Sequence, residues 1–259
     1  MTTLVLTILL GSSIGLLLGL IGSGGSVLTV PVFVYLLDMD AKTAIAASLV
    51  VVGVTSLVGC IDYLRKKLVD WRVALSFGLI AMVGTYTGAR LAQYMDGSWQ
   101  LALFAVLIVV AAVLMLRESF KSRQNLPQTG SKHDYGAWTY PLILIEGMVV
   151  GVLTGLVGIG GGFLVVPALV LLAGLPMQVA LGTSLCIITL KSMSGVMGYL
   201  DQVTMPWSEV SVFSGLAICG VLIGSRIMYM LPQHQLERVF SVFLLLVGTF
   251  VFVRTSLAL

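Results

Sequence analysis

Eight long apolar segments alternate along the chain with short polar turns. A transmembrane helix needs about 20 mainly apolar residues, and these segments meet that length. They are residues 3–21, 41–64, 71–96 and 98–117 in the first half, and 138–157, 177–200, 207–232 and 234–256 in the second. The pattern therefore predicts an all-α polytopic membrane protein.

A shorter apolar piece follows the first segment of each half, at 26–37 and 162–174. At about 1.5 Å per residue each piece is about 18–20 Å long, which is short for a crossing. Each contains a proline, Pro31 or Pro167, which disturbs the preceding helical turn. We expect broken or short helices here, and whether they cross the membrane stays open.

The two halves repeat each other at a constant offset of 136 positions. GLIGSGGSVLTVP, from Gly19 to Pro31, matches GLVGIGGGFLVVP, from Gly155 to Pro167. Without a gap, about 27 of about 92 aligned positions are identical, which indicates an internal duplication. Two long repeats in an apolar chain are typical of transporters whose site lies where the halves meet.

A single long polar stretch, ESFKSRQNLPQTGSKHDYG, separates the halves. It divides the chain into a first transmembrane repeat at 1–117, a polar linker at 118–137 and a second transmembrane repeat at 138–259.

Positive charges orient the segments. Arg65 to Lys67 follow one segment, and further basic residues lie in and beside the linker, so both regions are expected on the cytoplasmic side. The equivalent of 65–67 is Asp201 to Val203, which has no positive charge. Equivalent loops would thus face opposite sides, which favours inverted repeats of five segments and about ten crossings. If the short pieces do not cross, the repeats are parallel, with about eight crossings.

Composition supports this class. The chain of 259 residues is 58% hydrophobic and 10% charged, whereas soluble domains are about 25% charged. The net charge of +3 gives no reason to expect a nucleic-acid partner, and no cofactor or metal site is predicted. Cys60, Cys186 and Cys219 lie in apolar stretches without disulfide or metal spacing, so we interpret them as small apolar side chains.

The glycine motifs predict an anion site. Glycines adopt backbone angles closed to other residues, and a helix that begins there exposes free N–H groups and about half a positive charge. Such an end binds anions when it faces a cavity. The alternative is that the small residues let helices pack closely. The candidate ligands are Gly22, Ser23, Gly24, Gly25, Ser26, Gly158, Gly160, Gly161 and Gly162.

Polar residues inside segments 41–64 and 177–200 add candidates. Ser48 and Ser56 share one helical face, and the second repeat has serines at the same positions. An intramembrane charge such as Lys191 is a functional hypothesis by default. The alternatives are hydroxyls bonded to their own helix and a lysine that faces a lumen or pairs with Glu146. The substrate-binding candidates are Ser48, Ser56, Thr183, Ser184, Lys191 and Ser192.

Three further residues carry weaker hypotheses. Glu146 lies about 12 Å inside its segment and is a candidate for carrying a coupling proton, or an interfacial residue. Arg90 and Arg226 close equivalent Gly-x-x-x-Gly-x-Arg patterns. Each would reach lipid headgroups or guard an anion entrance.

These residues resemble the sulfite exporter TauE/SafE family of membrane permeases. The resemblance rests on the two glycine motifs, each followed by a short apolar piece and by a helix bearing ASLVV or GTSLCI, and covers about residues 4–256. It implies a bacterial or archaeal inner-membrane protein that moves sulfite, sulfonates or other organic anions. The chain departs from the pattern at Ser26, which replaces the third consecutive glycine, and Lys191 is interpreted as particular to this chain.

We therefore predict a secondary transporter for a small anion, sulfite or an organosulfonate, that works by alternating access in the lipid bilayer. The sequence contains no nucleotide-binding motif, so a proton or sodium gradient or the substrate's own gradient would drive it. The alternatives are a passive anion channel, a permease for a non-sulfur organic anion and a cation carrier. A membrane enzyme is disfavoured because paired carboxylates and a nucleophile with a base are missing. The anion, the transport direction and the oligomeric state stay open.

Overall fold

The computed structural model describes residues 11–19, 24–121, 139–157, 162–171 and 174–228, with a few positions between 242 and 249. The helices in chain order are α1 (residues 11–19), α2 (Gly24–Tyr35), α3 (Ala41–Arg65), α4 (Trp71–Leu91), α5 (Gly97–Lys121), α6 (Thr139–Val157), α7 (Gly162–Leu171), α8 (Met177–Tyr199) and α9 (Trp207–Met228). A 3₁₀ turn, Ala92–Tyr94, follows α4. Over these residues the chain has no strand, and the all-α prediction is confirmed.

Within the described ranges, three helices are long and apolar enough to cross a membrane by length and composition. They are α3, α8 and the part of α9 from Trp207 to Ile227. The short helices expected after the glycine motifs are α2, with 12 residues, and α7, with 10. Pro31 and Pro167 lie inside these helices.

The helix boundaries differ from the sequence prediction at the linker. Helix α5 continues to Lys121, four residues into the polar stretch, because polarity ends an apolar span but does not end a helix. Residues 122–138 lie outside the described part of the chain.

Polar caps start two helices of the first repeat. The Asp40 carboxylate accepts the Lys42 N–H, and the Asp70 carboxylate accepts the N–H groups of Arg72 and Val73. These bonds satisfy donors that a helix start leaves free. The equivalent positions in the second repeat are prolines, Pro176 and Pro206.

The first helix of each repeat packs against the long α4-type helix of the other repeat. At Gly84 a Cβ would meet Met148 in α6, and at the equivalent Gly220 it would meet Ser12 in α1. The same holds for Gly155 against Thr85 and Gly19 against Val221. In both interfaces residue numbers rise together, so α4 runs parallel to α6 and α1 runs parallel to α9. Small residues therefore set two equivalent close contacts.

Helices α3 and α8, which are equivalent to each other, pack together at the centre. A Cβ on Gly53 would lie 3.1 Å from Ser192, a Cβ on Gly59 would lie 3.1 Å from Leu185, and Gly195 faces Leu49. Residue numbers rise on α3 as they fall on α8, so the two helices are antiparallel. Thr55 and Lys191 are equivalent residues, and they lie at nearly the same level along the two antiparallel helices. We take this level as the centre of the α3–α8 pair.

The interpretation of the cysteines was wrong for two of them. Cys60 in α3 and Cys186 in α8 form a disulfide with a Cα–Cα distance of 5.3 Å, whereas Cys219 is free and exposed. The bond joins residues 126 positions apart, and that spacing resembles no disulfide framework in a sequence. The packing of α3 against α8 brings the two side chains together.

Candidate functional site

Three buried polar groups lie near the centre of the α3–α8 pair. They are the Lys191 ammonium and the hydroxyls of Ser56 and Ser192, and none has a hydrogen-bond partner within the described residues. We call these three side chains the central polar residues. Each lies within about four residues of the middle of its helix, or about 6 Å along the axis. Unpartnered polar groups are rare in protein interiors and call for an explanation such as a missing ligand.

Lys191 is fully buried. At about 100° per residue it is on the side of α8 opposite Met193 and Leu200, which are both exposed. The side chain is therefore directed into the protein and away from lipid. The pairing with Glu146, one of the alternatives from the sequence, does not form, and Glu146 is half-buried on α6.

The other hydroxyl candidates are used by the backbone. The Ser48 hydroxyl donates to the Ile45 carbonyl over 2.7 Å, and the equivalent Ser184 donates to Leu181 over 2.8 Å. Thr183 accepts the N–H of Asp70 over 3.0 Å, which ties α8 to the start of α4. Such bonds are common for hydroxyls in helices. Only Ser56 and Ser192 of the predicted serines in α3 and α8 keep an unpartnered hydroxyl.

The short helices bring their N-terminal ends toward the same centre. Met39 donates its N–H to Phe33, and the equivalent Leu175 donates to Leu169, so each short helix folds back along the helix that follows it. From those bonds α2 rises about 14 Å to its first residue and α7 about 10 Å. Residues of α2 and α7 come within 8 Å of each other, so the two short helices meet between the repeats.

The motif residues divide between the described and undescribed parts of the chain. Gly24, Gly25 and Ser26 begin α2, and Gly162 begins α7. The remaining predicted ligands lie outside the described residues: Gly22, Ser23, Gly158, Gly160 and Gly161.

Two tyrosines bind the first residue of each glycine motif, and sequence reasoning missed this role. The Tyr63 hydroxyl donates to the Gly19 carbonyl over 3.3 Å, and the equivalent Tyr199 donates to Gly155 over 3.0 Å. Both tyrosines are fully buried. The signal was their alignment at the repeat offset, because two buried tyrosines at equivalent positions suggest a shared hydroxyl partner.

The two predicted arginines differ in their surroundings. Arg90 forms an ion pair with Asp201 over 3.0 Å and donates to the Tyr86 hydroxyl over 3.3 Å. The pair joins α4 of the first repeat to the turn after α8. Arg226 occupies the equivalent position and is exposed. Its counterpart to Asp201 is Arg65, so the opposite end carries two like charges.

An apolar groove of about 420 Å³ opens on the outer side of the α3–α8 pair. Its lining comes from both repeats and is almost entirely apolar. It consists of Leu49, Val50, Gly53, Val54, Leu57, Thr189, Ser192, Met193, Val196, Met197, Leu200 and Trp207.

An all-α chain with apolar spanning helices, two matched repeats and buried polar groups at their junction has the features of a polytopic membrane transporter. The family model described as sulfite exporter TauE/SafE matches residues 7–251, and the chain belongs to this family. It is a multi-pass membrane protein.

Relatives named as probable membrane transporter proteins match most of the chain. One from Xylella fastidiosa strain Temecula1 is 30% identical over 98% of this chain and 96% of its own. One from Bacillus subtilis, YunE, is 29% identical over 94% of this chain and 95% of its own. One from Methanocaldococcus jannaschii is 29% identical over 77% of this chain and 73% of its own. No solved structure gives a significant match to this chain.

Proposed function

We propose that this protein is a secondary transporter that moves a small anion, sulfite or an organosulfonate, across the bacterial or archaeal inner membrane by alternating access. The observation that carries the proposal is the amino group of Lys191, which is fully buried near the middle of a spanning helix without a partner in the described residues. A charge held there is costly unless an opposite charge arrives to compensate it. An anionic substrate supplies that charge.

The anion would lie between the two helix starts. Backbone N–H groups at the beginning of α2 and α7 would point at it from opposite sides, as helix N-termini do in other anion sites. The hydroxyls of Ser56 and Ser192 would donate to its oxygens, and Lys191 would act as a point charge. A sulfite or sulfonate group has three oxygens, so donors from several directions suit it.

The direction of the helices supports inverted repeats. Equivalent helices α3 and α8 run antiparallel, and both are long and apolar enough to span. Two antiparallel spanning helices place equivalent ends on opposite sides of the bilayer, which is the relation that inverted repeats require. With Arg65 to Lys67 on the cytoplasmic side, both chain ends of a ten-segment arrangement would be outside.

The proposed transport cycle requires movement of the two repeats and a source of energy. Rocking of one repeat against the other would open the centre to each side in turn. Glu146 is the candidate for carrying a coupling proton. Arg90 and Arg226, at equivalent ends of their helices, are the candidates for guarding the entrances.

Reconstitution into liposomes tests the transport. We expect saturable, counterflow-capable flux of labelled sulfite or of a sulfonate, with thiosulfate and a non-sulfur carboxylate as comparisons, measured against pH and sodium gradients. Lys191→Met should lower the flux by about 10- to 150-fold, because a charge-assisted contact of about 1.5–3 kcal/mol is lost. Lys67→Met, at an exposed lysine, is the matched control and should leave the flux unchanged.

Three results would contradict parts of this proposal. Wild-type flux in folded Lys191→Met protein would remove the lysine from the site. A high unitary conductance without counterflow would replace the carrier by an anion channel. Cysteine labelling at positions 65–67 only from outside would reverse the proposed orientation.

A further inference from the structure

The α3–α8 seam, meaning the line of contact between these helices, is closed differently at its two ends. At one end Cys60 and Cys186 are covalently joined. The repeat offset maps these residues to Val196 and Val50, and both valines line the apolar groove at the other end. Equivalent positions therefore carry a bond at one end and an open space of about 420 Å³ at the other.

The bond restricts how the repeats can move. Cys60 belongs to the first repeat and Cys186 to the second, and their Cα atoms are 5.3 Å apart. A Cβ on Gly59 would lie 3.1 Å from Leu185 beside the bond, and a Cβ on Gly195 would lie 3.1 Å from Leu49 toward the groove end, so the helices are in close contact along the pair and the bond distinguishes one end. While the bond exists, α3 and α8 can separate only toward the groove end.

We propose that the Cys60–Cys186 disulfide is a reversible redox clasp, meaning a covalent link that holds the two repeats together when it is oxidised and releases them when it is reduced. This inference rests on the proposed alternating access. With the bond formed, one end of the seam stays shut and the transport cycle stops in a single state. With the bond reduced, each end can open in turn.

The disulfide lies near the end of α3 that is proposed to be cytoplasmic. Cys60 is five residues before the end of α3, or about 8 Å from the end that Arg65 places at the cytoplasmic side. Reducing thiols are abundant in that compartment. The two cysteines are only 7% and 6% exposed, so both are largely buried in the packing of the two helices.

The reaction is thiol–disulfide exchange with a low-molecular-weight thiol. The thiolate attacks one sulfur of the bridge, forms a mixed disulfide and releases the other cysteine as a thiolate, which takes up a proton. A second small thiol attacks the mixed disulfide, which frees the remaining cysteine and yields the oxidised small disulfide. Two electrons pass from the two small thiols to the bridge. The reverse exchange, in which the two cysteine thiolates reduce an oxidised small disulfide to two thiols, forms the bridge again.

Thiol counting and flux test the clasp in the full-length protein. Alkylation of the denatured oxidised protein should modify Cys219 alone, and dithiothreitol should raise the count to all three cysteines. Flux of labelled ethanesulfonate, chosen because sulfite itself cleaves disulfides, should rise by about ten-fold or more on reduction. The variant Cys60→Ala/Cys186→Ala should match the reduced protein in either condition, and Cys219→Ala should keep the redox response.

A second cross-link controls for the geometry. In the Cys60→Ala/Cys186→Ala background, Val50→Cys/Val196→Cys places thiols at the equivalent end, where an oxidant should close the groove and stop flux until a reductant is added. Continued flux with that cross-link shown to be formed would contradict the idea that seam opening is needed.

Failure of the clasp is distinguishable from failure of the transport proposal. Flux that depends on Lys191 but is the same in oxidised, reduced and cysteine-free protein would overturn the clasp alone. If no probe is transported, amide hydrogen exchange still decides. Exchange at the end of α3 and the start of α8 should increase on reduction, and unchanged exchange would overturn the clasp.

Discussion

The first and second repeats share their backbone contacts and differ in their charges. Tyr63 and Tyr199 make the same hydrogen bond, and the glycine contacts of α1 with α9 are the same as those of α6 with α4. At the centre, however, the second repeat has Lys191 where the first has Thr55. The Thr55 hydroxyl donates to its own helix at Val51, whereas the Lys191 ammonium has no described partner. The two repeats therefore share the same helix contacts, and the central position carries a lysine in the second repeat and a threonine in the first.

The ends of the repeats differ in the same way. Arg90 pairs with Asp201, but the equivalent positions, Arg226 and Arg65, carry two positive charges. An exposed ion pair contributes little to stability. We expect the Arg90–Asp201 pair to matter because it connects the two repeats at one end of the protein. The proposed transporter would then have an ion pair at one end and, at the end where the Cys60–Cys186 disulfide lies, two positive charges that attract anions.

Moving the central charge should have the largest effect. The variant Lys191→Thr removes the ammonium, and adding Thr55→Lys places it at the equivalent position on α3. We expect Lys191→Thr alone to lower anion flux by about 10- to 150-fold, and the double variant to recover to within about ten-fold of wild type. Flux of the reconstituted proteins, with circular dichroism as the check on folding, measures both.

The swap separates two explanations. If the centre is equivalent for both helices, the position of the charge is interchangeable. If Lys191 is only a buried structural residue, the double variant will be no faster than the single one, and the shared central site would have to be abandoned.

Much of this architecture follows from the sequence, because apolar length and the repeat offset are local properties of the chain. They predict α3, α8 and α9, the short helices α2 and α7, and the pairing of equivalent positions. The disulfide was not predictable, because Cys60 and Cys186 meet only through packing between the repeats.

The choice among hydroxyls was also beyond the sequence. Ser48 and Ser56 share a helical face, yet one is bonded to the Ile45 carbonyl and the other has no partner in the described residues. Rotamers and neighbouring side chains decide this, and they depend on tertiary contacts.

Substitution of the equivalent glycines Gly84 and Gly220 should have a smaller effect, a loss of stability of similar size at both sites. Gly84→Ala would place a Cβ against the backbone of α6, and Gly220→Ala would do the same against α1. Each should destabilise the protein by about 1–3 kcal/mol, since the facing backbone must shift. Thermal unfolding in detergent measures it, with Gly215→Ala as the control because a Cβ there meets nothing within 4 Å. Very different losses at the two sites would show that the interfaces are not equivalent.

Substitution of the equivalent tyrosines Tyr63 and Tyr199 should have the smallest effect on stability. Tyr63→Phe and Tyr199→Phe each remove one hydroxyl from a buried carbonyl, at Gly19 or Gly155, without changing the packed ring. A neutral hydrogen bond contributes about 1 kcal/mol, and the carbonyl left unpaired adds to the loss, so both variants should lower stability by about 1–2 kcal/mol. Anion binding is the more telling measurement. If the hydroxyls position the glycine motifs, both substitutions weaken anion affinity although neither residue touches the anion, whereas a loss of stability with unchanged affinity would reduce the tyrosines to packing residues.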